Sequence, residues 1–182
     1  MLKGERCASP KCAMVKRPYA PGQHGQSFHR KISEYGKQLR EKQKARRIYG
    51  IGEKQFSNYV AKADKIEGNT AENLLSLVES RLDNTLYRLG FAPSRSAARQ
   101  FVSHGLFMVN DHKVSIPSFL VKPGDKISPI KKEAFKEINP LSLSSWMTLD
   151  QKALVGTVNH TPTREEIDTT VNESLIIEFY SR

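Results

Sequence analysis

The sequence predicts an α+β protein: a mostly helical N-terminal domain with an inserted small helix-plus-β-hairpin module, preceded by an extended segment rich in basic residues. Two patterns predict this class. Apolar residues recur every three or four positions between about residues 33 and 102, which is typical of amphipathic helices. After Gly105 they occur in short runs separated by turn residues, which is typical of strands.

Three helices are predicted in the N-terminal domain, over residues 33–50, 53–65 and 70–89. The third is predicted as one continuous helix, because its apolar residues fall three or four positions apart and Gly90 follows them. These residues are Leu75, Val78, Leu82, Leu86 and Leu89. Residues 1–32 are predicted to be irregular, because prolines interrupt any helix and few apolar side chains are present.

The module begins with a short helix after Pro93, with Ser94 as its N-cap and Gly105 past its end. A hairpin follows, because Asn110 and Asp111 separate two short apolar runs and favour a tight turn. The predicted strands cover residues 106–109, 113–116, 126–130, 153–158 and 175–180.

The chain of 182 residues is long enough to bury one or two cores. We expect residues 1–78 to form the basic segment and the helical domain, which residues 131–182 complete, and residues 79–130 to form the module. No apolar run approaches the roughly 18 residues needed to span a membrane. The N-terminus lacks the apolar stretch of a secretory signal, so a cytosolic protein is the simplest interpretation.

The positive charge is confined to the first third of the chain. The net charge is +10, and residues 1–60 hold 14 Lys and Arg against 4 Asp and Glu, whereas the remainder is balanced. A positive electrostatic field that is concentrated in one part of the chain attracts a polyanion. An excess kept only for solubility is the alternative, but solubility gives no reason for the charges to be segregated.

The densest basic stretch lies in the first predicted helix. Arg40, Lys44 and Arg47 fall at i, i+4 and i+7 and so share one side, which suits a phosphate backbone. Lys42 and Arg46 complete the cluster, and only Glu41 offsets these five cations. A solvated surface helix is the alternative interpretation.

Two further segments carry candidate nucleic-acid contacts. Ser94 and Arg95 begin the helix of the module, where free backbone N–H groups favour a phosphate, and Arg99 lies on the same face as Arg95. The turn over residues 21–26 presents His24 beside glycines, which allow a partner to approach the backbone closely. Capped helices and solvent loops of this composition are also common, so each motif is weak by itself.

Cys7 and Cys12 are the cysteines of the chain, and with His24 and His29 they have a spacing close to that of a zinc finger. A finger needs a helix in its second half, but Pro18, Pro21 and Gly22 lie in that interval. Two cysteines supply half of a zinc site at most. We therefore expect two reduced thiols and no bound cofactor.

The motifs of the common enzyme classes are absent from the sequence. It contains no phosphate-binding GxxxxGK[ST] loop, no GxGxxG, no HExxH and no GxSxG. Paired carboxylates such as Glu165 and Glu166 lie in a charge-balanced region and are interpreted as solvated. We therefore expect neither catalytic residues nor a small-molecule substrate.

Short blocks throughout the chain resemble the small ribosomal subunit protein four family of bacteria. The N-terminal blocks are Lys3-Gly-Glu-Arg-Cys7, Ser9-Pro-Lys-Cys12, Pro21-Gly-Gln-His-Gly25, Leu39-Arg-Glu-Lys-Gln-Lys44 and Arg47-Ile-Tyr-Gly50. The later blocks are Glu79-Ser-Arg-Leu-Asp-Asn84, Tyr87-Arg-Leu-Gly-Phe91, Ser94-Arg95, Val109-Asn110, Pro123-Gly-Asp125 and Glu178-Phe-Tyr-Ser-Arg182. The blocks occur in the family's order over nearly the whole chain.

This resemblance implies a structural, rRNA-binding component of the small ribosomal subunit. Such a protein docks on a multi-helix junction in the 5′ domain of 16S rRNA, nucleates assembly of the subunit body, lies beside protein five where mRNA enters, and affects translational accuracy together with proteins five and twelve. Residues 79–130 would be its RNA-binding module. The RNA contacts implied are His24, Arg40, Lys42, Lys44, Arg46, Arg47, Ser94, Arg95 and Arg99. The ribosome is cytoplasmic, with an organellar ribosome as the alternative.

The sequence departs from the family's pattern at two places. Zinc-containing members carry a further cysteine pair upstream of the first block, whereas this sequence opens two residues before that block. Either the protein is naturally short and metal-free, or its N-terminus has been lost or processed. Ser96 and Ser103 stand in a helix that usually carries more arginine, which weakens the expected RNA contact of that helix.

Three other functions compete with a ribosomal role. A stand-alone RNA-binding regulator would be found off mature ribosomes. An RNA-modifying enzyme needs a separate catalytic domain of roughly 150 residues, for which the chain has no room. A metal-dependent nucleic-acid binder would contain metal after purification.

Overall fold

The computed structural model describes residue 2 and residues 4–27, 31–135 and 144–181. The helices there are α1 (Glu5–Ala8), α2 (Ala13–Lys16), α3 (Glu34–Tyr49), α4 (Glu53–Ala63), α5 (Thr70–Glu79), α6 (Leu82–Arg88), α7 (Arg95–Ser103) and α8 (Glu173–Tyr180). The strands are β1 (Phe107–Val109), β2 (His112–Val114), β3 (Lys126–Pro129), β4 (Met147–Asp150) and β5 (Val155–Val158), and a 3-10 helix spans Lys132–Phe135. The predicted α+β class is confirmed.

Helices α3, α4, α5 and α8 pack around the first of two apolar cores. The predicted helices 33–50 and 53–65 are confirmed as α3 and α4. Ser33 caps α3 by accepting a hydrogen bond from the Gly36 N–H at 3.2 Å, and Gly50 ends it with a φ of 65°. The buried core residues are Ala45, Tyr49, Ile51, Phe56, Tyr59, Val60, Ala63, Leu74, Val78, Val171 and Ile176.

The predicted continuous helix over residues 70–89 is wrong, because the chain breaks at Ser80 and Arg81 into α5 and α6. The Arg81 backbone is extended, with a ψ of 139°. The segment around residue 120 pairs with it: Leu82 N–H donates to the Phe119 carbonyl at 2.8 Å, and Val121 N–H donates to the Ser80 carbonyl at 2.9 Å. These bonds to a distant segment replace those of a continuing helix. The apolar spacing continues across the break, but Val78 of α5 lies in the first core, whereas Leu82 and Leu86 of α6 lie in the second.

The second core lies between helices α6 and α7 and an antiparallel five-stranded sheet of order β2-β1-β3-β5-β4. The predicted hairpin is confirmed: Phe107 pairs with Val114, and Asn110 and Asp111 take φ values of 49° and 63° in the turn. Phe107, Ile127 and Trp146 are completely buried beneath the helices. The sheet therefore supports α7 on a rigid base.

The C-terminal third differs from the prediction in two ways. Residues 175–180 belong to helix α8, not to a strand, because the apolar run Leu-Ile-Ile packs one side on α3 and carries no period that distinguishes the two structures. Strands β4 and β5 extend the sheet of the module, with Gly156 pairing with both Ile127 and Leu149. Of residues 131–182, predicted to complete the helical domain, Val171 and Ile176 join its core, whereas Met147–Val158 lies with the module.

The N-terminal segment, residues 4–27, consists of the single turns α1 and α2 joined by irregular chain. Most of its side chains are exposed. Gly25 is buried in the turn, where an added Cβ would lie 1.8 Å from the Ala20 carbonyl oxygen, so the tight bend requires glycine there. Within the described residues, none of the helices has the length and apolar character needed to span a bilayer.

Candidate nucleic-acid interface

The outer face of α3, defined by Arg40 and Arg47, is cationic and open to solvent. Both side chains are exposed, and neither makes a hydrogen bond or ion pair with any other residue that the structure describes. They are seven residues apart, so they project from nearly the same side of the helix about two turns apart. Two exposed cations at this spacing can contact separate phosphates along one strand.

The inner face of α3, defined by Lys42 and Arg46, contacts helices α4 and α8 through ion pairs and an aromatic ring. Lys42 Nζ lies 2.7 Å from Glu53 Oε1, and Arg46 Nη1 lies 2.5 Å from Glu53 Oε2. The Lys42 side chain is only 6% exposed, and its ammonium lies 4.4 Å from the centre of the Phe179 ring on α8. The hydrogen bond from Lys42 holds the pKa of the Glu53 carboxyl below its usual range, so Glu53 is ionised at neutral pH.

This geometry disfavours RNA contact by Lys42, because the ammonium would have to leave a carboxylate and an aromatic ring to reach a phosphate. Arg46 is half-buried and holds the same carboxylate. The RNA contacts predicted for these two residues stay predictions. What the structure shows for them is a role in fixing α3 against α4 and α8.

Lys44 combines features of the two faces, because its side chain is partly exposed and also contacts other parts of the protein. Its ammonium lies 2.5 Å from the Thr170 carbonyl oxygen and 3.3 Å from Glu41 Oε1. Glu41 also accepts a hydrogen bond from the Asn172 N–H, so both side chains help to hold the chain that leads into α8. The side chain of Lys44 is 37% exposed, which leaves room for a phosphate beside these contacts.

Helix α7 presents the candidate residues of the module. Ser94 is its N-cap, as predicted, and its hydroxyl accepts from the Ala97 N–H at 3.2 Å. Arg95 Nε donates to Asn84 Oδ1 at 2.8 Å, and Arg99 Nη1 donates to the Gly50 carbonyl, just past α3, at 2.9 Å. Arg99 is exposed, whereas Arg95 is half-buried. Both arginines thus link α7 to other elements.

A groove forms where the end of α3 meets the start of α7. It brings together Arg47 from the basic helix and Arg95 and Arg99 from the module. The other residues around it are Leu2, Ile48, Tyr49, Gly50 and Ser96. Candidate residues that are about 50 positions apart in sequence therefore share one cationic surface, with three arginines and no acidic residue among the described residues that line the groove.

The remaining candidates lie in the N-terminal segment. His24 is exposed on its turn, and its carbonyl oxygen accepts from the Ser27 hydroxyl. Cys7 and Cys12 are half-buried, and no disulfide joins them. The described residues contain no group of three or more His, Cys, Asp or Glu side chains able to hold a metal ion. His29 lies outside the described residues.

One completely buried charged residue, Glu79, was not predicted from the sequence. Glu79, at 0% exposure, accepts hydrogen bonds from Tyr49 Oη at 2.7 Å, Asn84 Nδ2 at 2.6 Å and Arg88 Nη2 at 2.9 Å. Burial raises the pKa of the Glu79 carboxyl, but the bonds and charge of Arg88 outweigh it, and the pKa lies below its usual range. Burial and the neighbouring Glu79 carboxylate raise the pKa of the Tyr49 hydroxyl, which stays protonated and donates.

A sequence signal for this network existed. The polar residues of Glu79-Ser-Arg-Leu-Asp-Asn84 lie between the buried apolar residues Val78 and Leu86. Polar groups placed between buried apolar neighbours are themselves buried and hydrogen-bonded in most proteins. Arg81 and Asp83 form a second such pair there, with Arg81 Nη2 at 2.8 Å from Asp83 Oδ2.

Comparison with protein families agrees with this architecture. Residues 1–79 match the model of the ribosomal protein S4/S9 N-terminal domain, and residues 80–127 match that of the S4 domain. The small ribosomal subunit protein uS4 of Syntrophomonas wolfei is 53% identical to this chain, over all of the chain and 90% of the relative. The chain belongs to the ribosomal protein S4 family.

Other bacterial members of the S4 family are equally similar. The uS4 protein of Clostridium tetani is 54% identical and uS4A of Alkaliphilus metalliredigens is 53% identical, each over all of this chain and 90% of the relative. The resemblance to the bacterial family is thus confirmed. Members of the S4 family are structural proteins of the small ribosomal subunit, so the expectation that the chain is not an enzyme is also confirmed.

Proposed function

We propose that this S4-family protein binds 16S rRNA by docking on a multi-helix junction of the 5′ domain and holding the helices of that junction together. The convergence of Arg47 with Arg95 and Arg99 in one groove supports the proposal most directly. These residues belong to two units with separate cores, and the hydrogen bond from Arg99 to the Gly50 carbonyl holds the units together at this surface. A ribosomal protein with such a surface meets rRNA as its nearest polyanion.

A preference for a junction follows from the physics of RNA recognition. Contacts to phosphates carry no sequence information by themselves, and the deep, narrow major groove of duplex RNA hides the base edges. Selectivity must therefore come from the relative positions of several phosphates. A rigid surface that crosses two structural units distinguishes helices meeting at one angle from a single straight duplex.

Wider roles follow from such docking. A protein that fixes how several helices meet lowers the entropic cost of later folding steps, which supports a role in nucleating assembly of the subunit body. Contacts with proteins five and twelve, a position where mRNA enters, and an effect on accuracy stay predictions from the family resemblance. Zinc binding would require a further cysteine pair, so we propose that the chain as given binds no metal.

The test replaces Arg40 and Arg47 with Gln together. Binding should weaken, and the slope of log K against log salt should become shallower by about one unit for each phosphate that the protein no longer neutralises. Affinity is measured by filter binding or fluorescence anisotropy at several salt concentrations. The RNAs are a junction from the 5′ domain of 16S rRNA and a single duplex of equal length.

The matched control replaces Lys65, an exposed cation beyond the far end of α4, with Gln. This substitution removes the same kind of charge elsewhere on the surface, so affinity should change little. The proposal is overturned if the natural protein binds the junction and the duplex equally at physiological salt. Equal effects of the Arg40/Arg47 and Lys65 substitutions would exclude the outer face as the binding surface.

A further inference from the structure

Five residues, which we call the joint, connect the helical unit to the module: Tyr49, Glu79, Asn84, Arg88 and Arg95. They come from α3, α5, α6 and α7, and so from both sides of the division between the two cores. All are buried except Arg95, which is half-buried. The joint lies directly beneath the groove, because Tyr49 and Arg95 contribute to both.

Glu79 is the centre of the joint. Its Oε1 accepts from Tyr49 Oη and Arg88 Nη2, and its Oε2 accepts from Asn84 Nδ2 and Arg88 Nε. A buried carboxylate with several donors tolerates little displacement of any of them, because each broken hydrogen bond leaves a desolvated polar group. The end of α3 is thereby fixed relative to α6.

Arg95 extends this network to α7. Its Nε donates to Asn84 Oδ1 at 2.8 Å, while Asn84 Nδ2 donates to Glu79. The guanidinium carbon lies 4.5 Å from the centre of the Tyr87 ring and 5.0 Å from that of Tyr49. Attraction between a cation and aromatic rings adds to the hydrogen bond. The guanidinium is thus held by protein groups at the floor of the groove.

From these contacts we infer that Arg95 acts on RNA indirectly, as a positioning residue that sets α7 against the end of α3. Its role is to keep Arg47 and Arg99 at a fixed separation across the groove. This inference rests on the proposed RNA-binding function and assigns Arg95 a different part in it from the phosphate contact predicted from sequence. Charge is then not the property of Arg95 that matters most; the donor at Nε and the planar group over the rings are.

Two substitutions separate these properties. In Arg95→Gln, the amide nitrogen is attached to Cδ as Nε is, so the variant keeps a donor toward Asn84 and a planar amide group that can pack on the rings, but loses the charge. In Arg95→Lys, a methylene replaces Nε, so the variant keeps the charge but loses that donor and the planar group. A positioning role and a phosphate contact therefore predict opposite rankings of the two variants.

The experiment measures the affinity of the full chain for the junction RNA and for the duplex of equal length, at several salt concentrations. The expected result is that Arg95→Lys lowers the preference for the junction by about tenfold, since loosely held sites lose effective concentration, whereas Arg95→Gln keeps most of it. The salt slope should stay unchanged in both. The opposite ranking, a slope that falls by about one unit in Arg95→Gln, or no change in either variant, would overturn the inference.

A second pair of variants leaves every charge in place. Tyr87→Leu removes the ring beneath Arg95, whereas Tyr87→Phe keeps it, so only the Leu variant should lose preference for the junction. Equal behaviour of these two variants contradicts the inference even if Arg95→Lys fails to fold. Fluorescence of Trp146, the single tryptophan and fully buried, verifies that the module is folded.

Failure of the proposed function gives a different result. In that case the natural protein itself shows no preference for the junction. If the natural protein prefers the junction and Arg95→Lys prefers it equally, the proposed function stands and the positioning role is wrong.

Discussion

The N-terminal segment and the joint both contain cationic side chains, but these are exposed and unpaired among the described residues in the segment, whereas Arg88 in the joint is buried and paired. In the segment, the side chains of Arg6, Lys11, Lys16 and Arg17 are exposed, and none of these side chains makes a hydrogen bond or ion pair with other described residues. In the joint, Arg88 is 6% exposed and lies 2.9 Å from Glu79, which is completely buried. The same residue types thus supply a long-range field in one region and rigid geometry in the other.

The difference shows how a basic protein can bind RNA with selectivity. Exposed cations attract any polyanion and confer affinity that falls with salt, but they do not distinguish one RNA shape from another. Buried, paired cations attract nothing outside the protein, yet they fix the distance between the surfaces that do. Selectivity for a junction requires both, so the two regions should respond to substitution in opposite ways.

The largest effect on stability is expected at the joint. Replacing Glu79 with Gln leaves Arg88 buried without a counter-charge, and this should lower the free energy of unfolding by about 3–5 kcal/mol. Urea unfolding followed by circular dichroism measures the change. Glu34→Gln is the matched control: its ion pair with Lys37 is solvent-exposed, with 70% of the Glu34 side chain accessible, and is worth less than about 1 kcal/mol. Similar losses in both variants would refute the contrast between the two regions.

A smaller effect is expected from acid. The pKa of Glu79 is below its usual range in the folded protein, because Arg88 and its other partners outweigh the opposing effect of burial. The unfolded chain therefore takes up the proton first, so this contribution to stability is complete above the ordinary Glu pKa of about 4.3 and is lost as pH falls below it.

Calorimetry between about pH 5 and pH 3 checks this expectation. The Tm of the natural protein should fall with acid more steeply than that of Glu79→Gln. Other carboxyl groups, such as Glu166 with a pKa lowered to about 2 by its hydrogen bonds with Ser145 and Thr163, contribute equally to both proteins and cancel in the difference. Parallel curves would mean that Glu79 does not carry the expected linkage.

The smallest effect on stability is expected in the N-terminal segment. Replacing Arg6, Lys11, Lys16 and Arg17 together with Gln should change the free energy of unfolding by less than about 0.5 kcal/mol, because these side chains hold no other part of the fold. RNA affinity should nevertheless fall and depend less on salt, which titrations at several salt concentrations measure. A large drop in the unfolding midpoint would show that the segment supports the fold.

Local sequence patterns were sufficient for the elements whose structure depends on their own residues. Ser33 and Gly50 delimit α3, Ser94 caps α7, and Asn110 and Asp111 form the turn of the hairpin, all as predicted. Caps and tight turns depend on the conformational preferences of a few adjacent residues, so they can be predicted from the local sequence. The outer face of α3 was predictable for the same reason, because helical spacing alone aligns Arg40 with Arg47.

Long-range contacts decided the features that the sequence misassigned. The break at Arg81 depends on backbone pairing with residues 119–121, and the helical state of α8 depends on packing against α3. Neither partner is near in sequence, so no local window contains the cause. The contact of Lys42 with the Phe179 ring also depends on a long-range contact, since Phe179 lies 137 positions away in the sequence.

The sequence by itself determined that this protein is cationic at one end, that it belongs to the α+β class, and which helix carries the exposed charge. Tertiary structure decided which cations remain available to a partner and where they meet. The physical reason is that a charge is free for RNA only when the fold gives it no nearer counter-charge or ring, and those neighbours are brought together by folding.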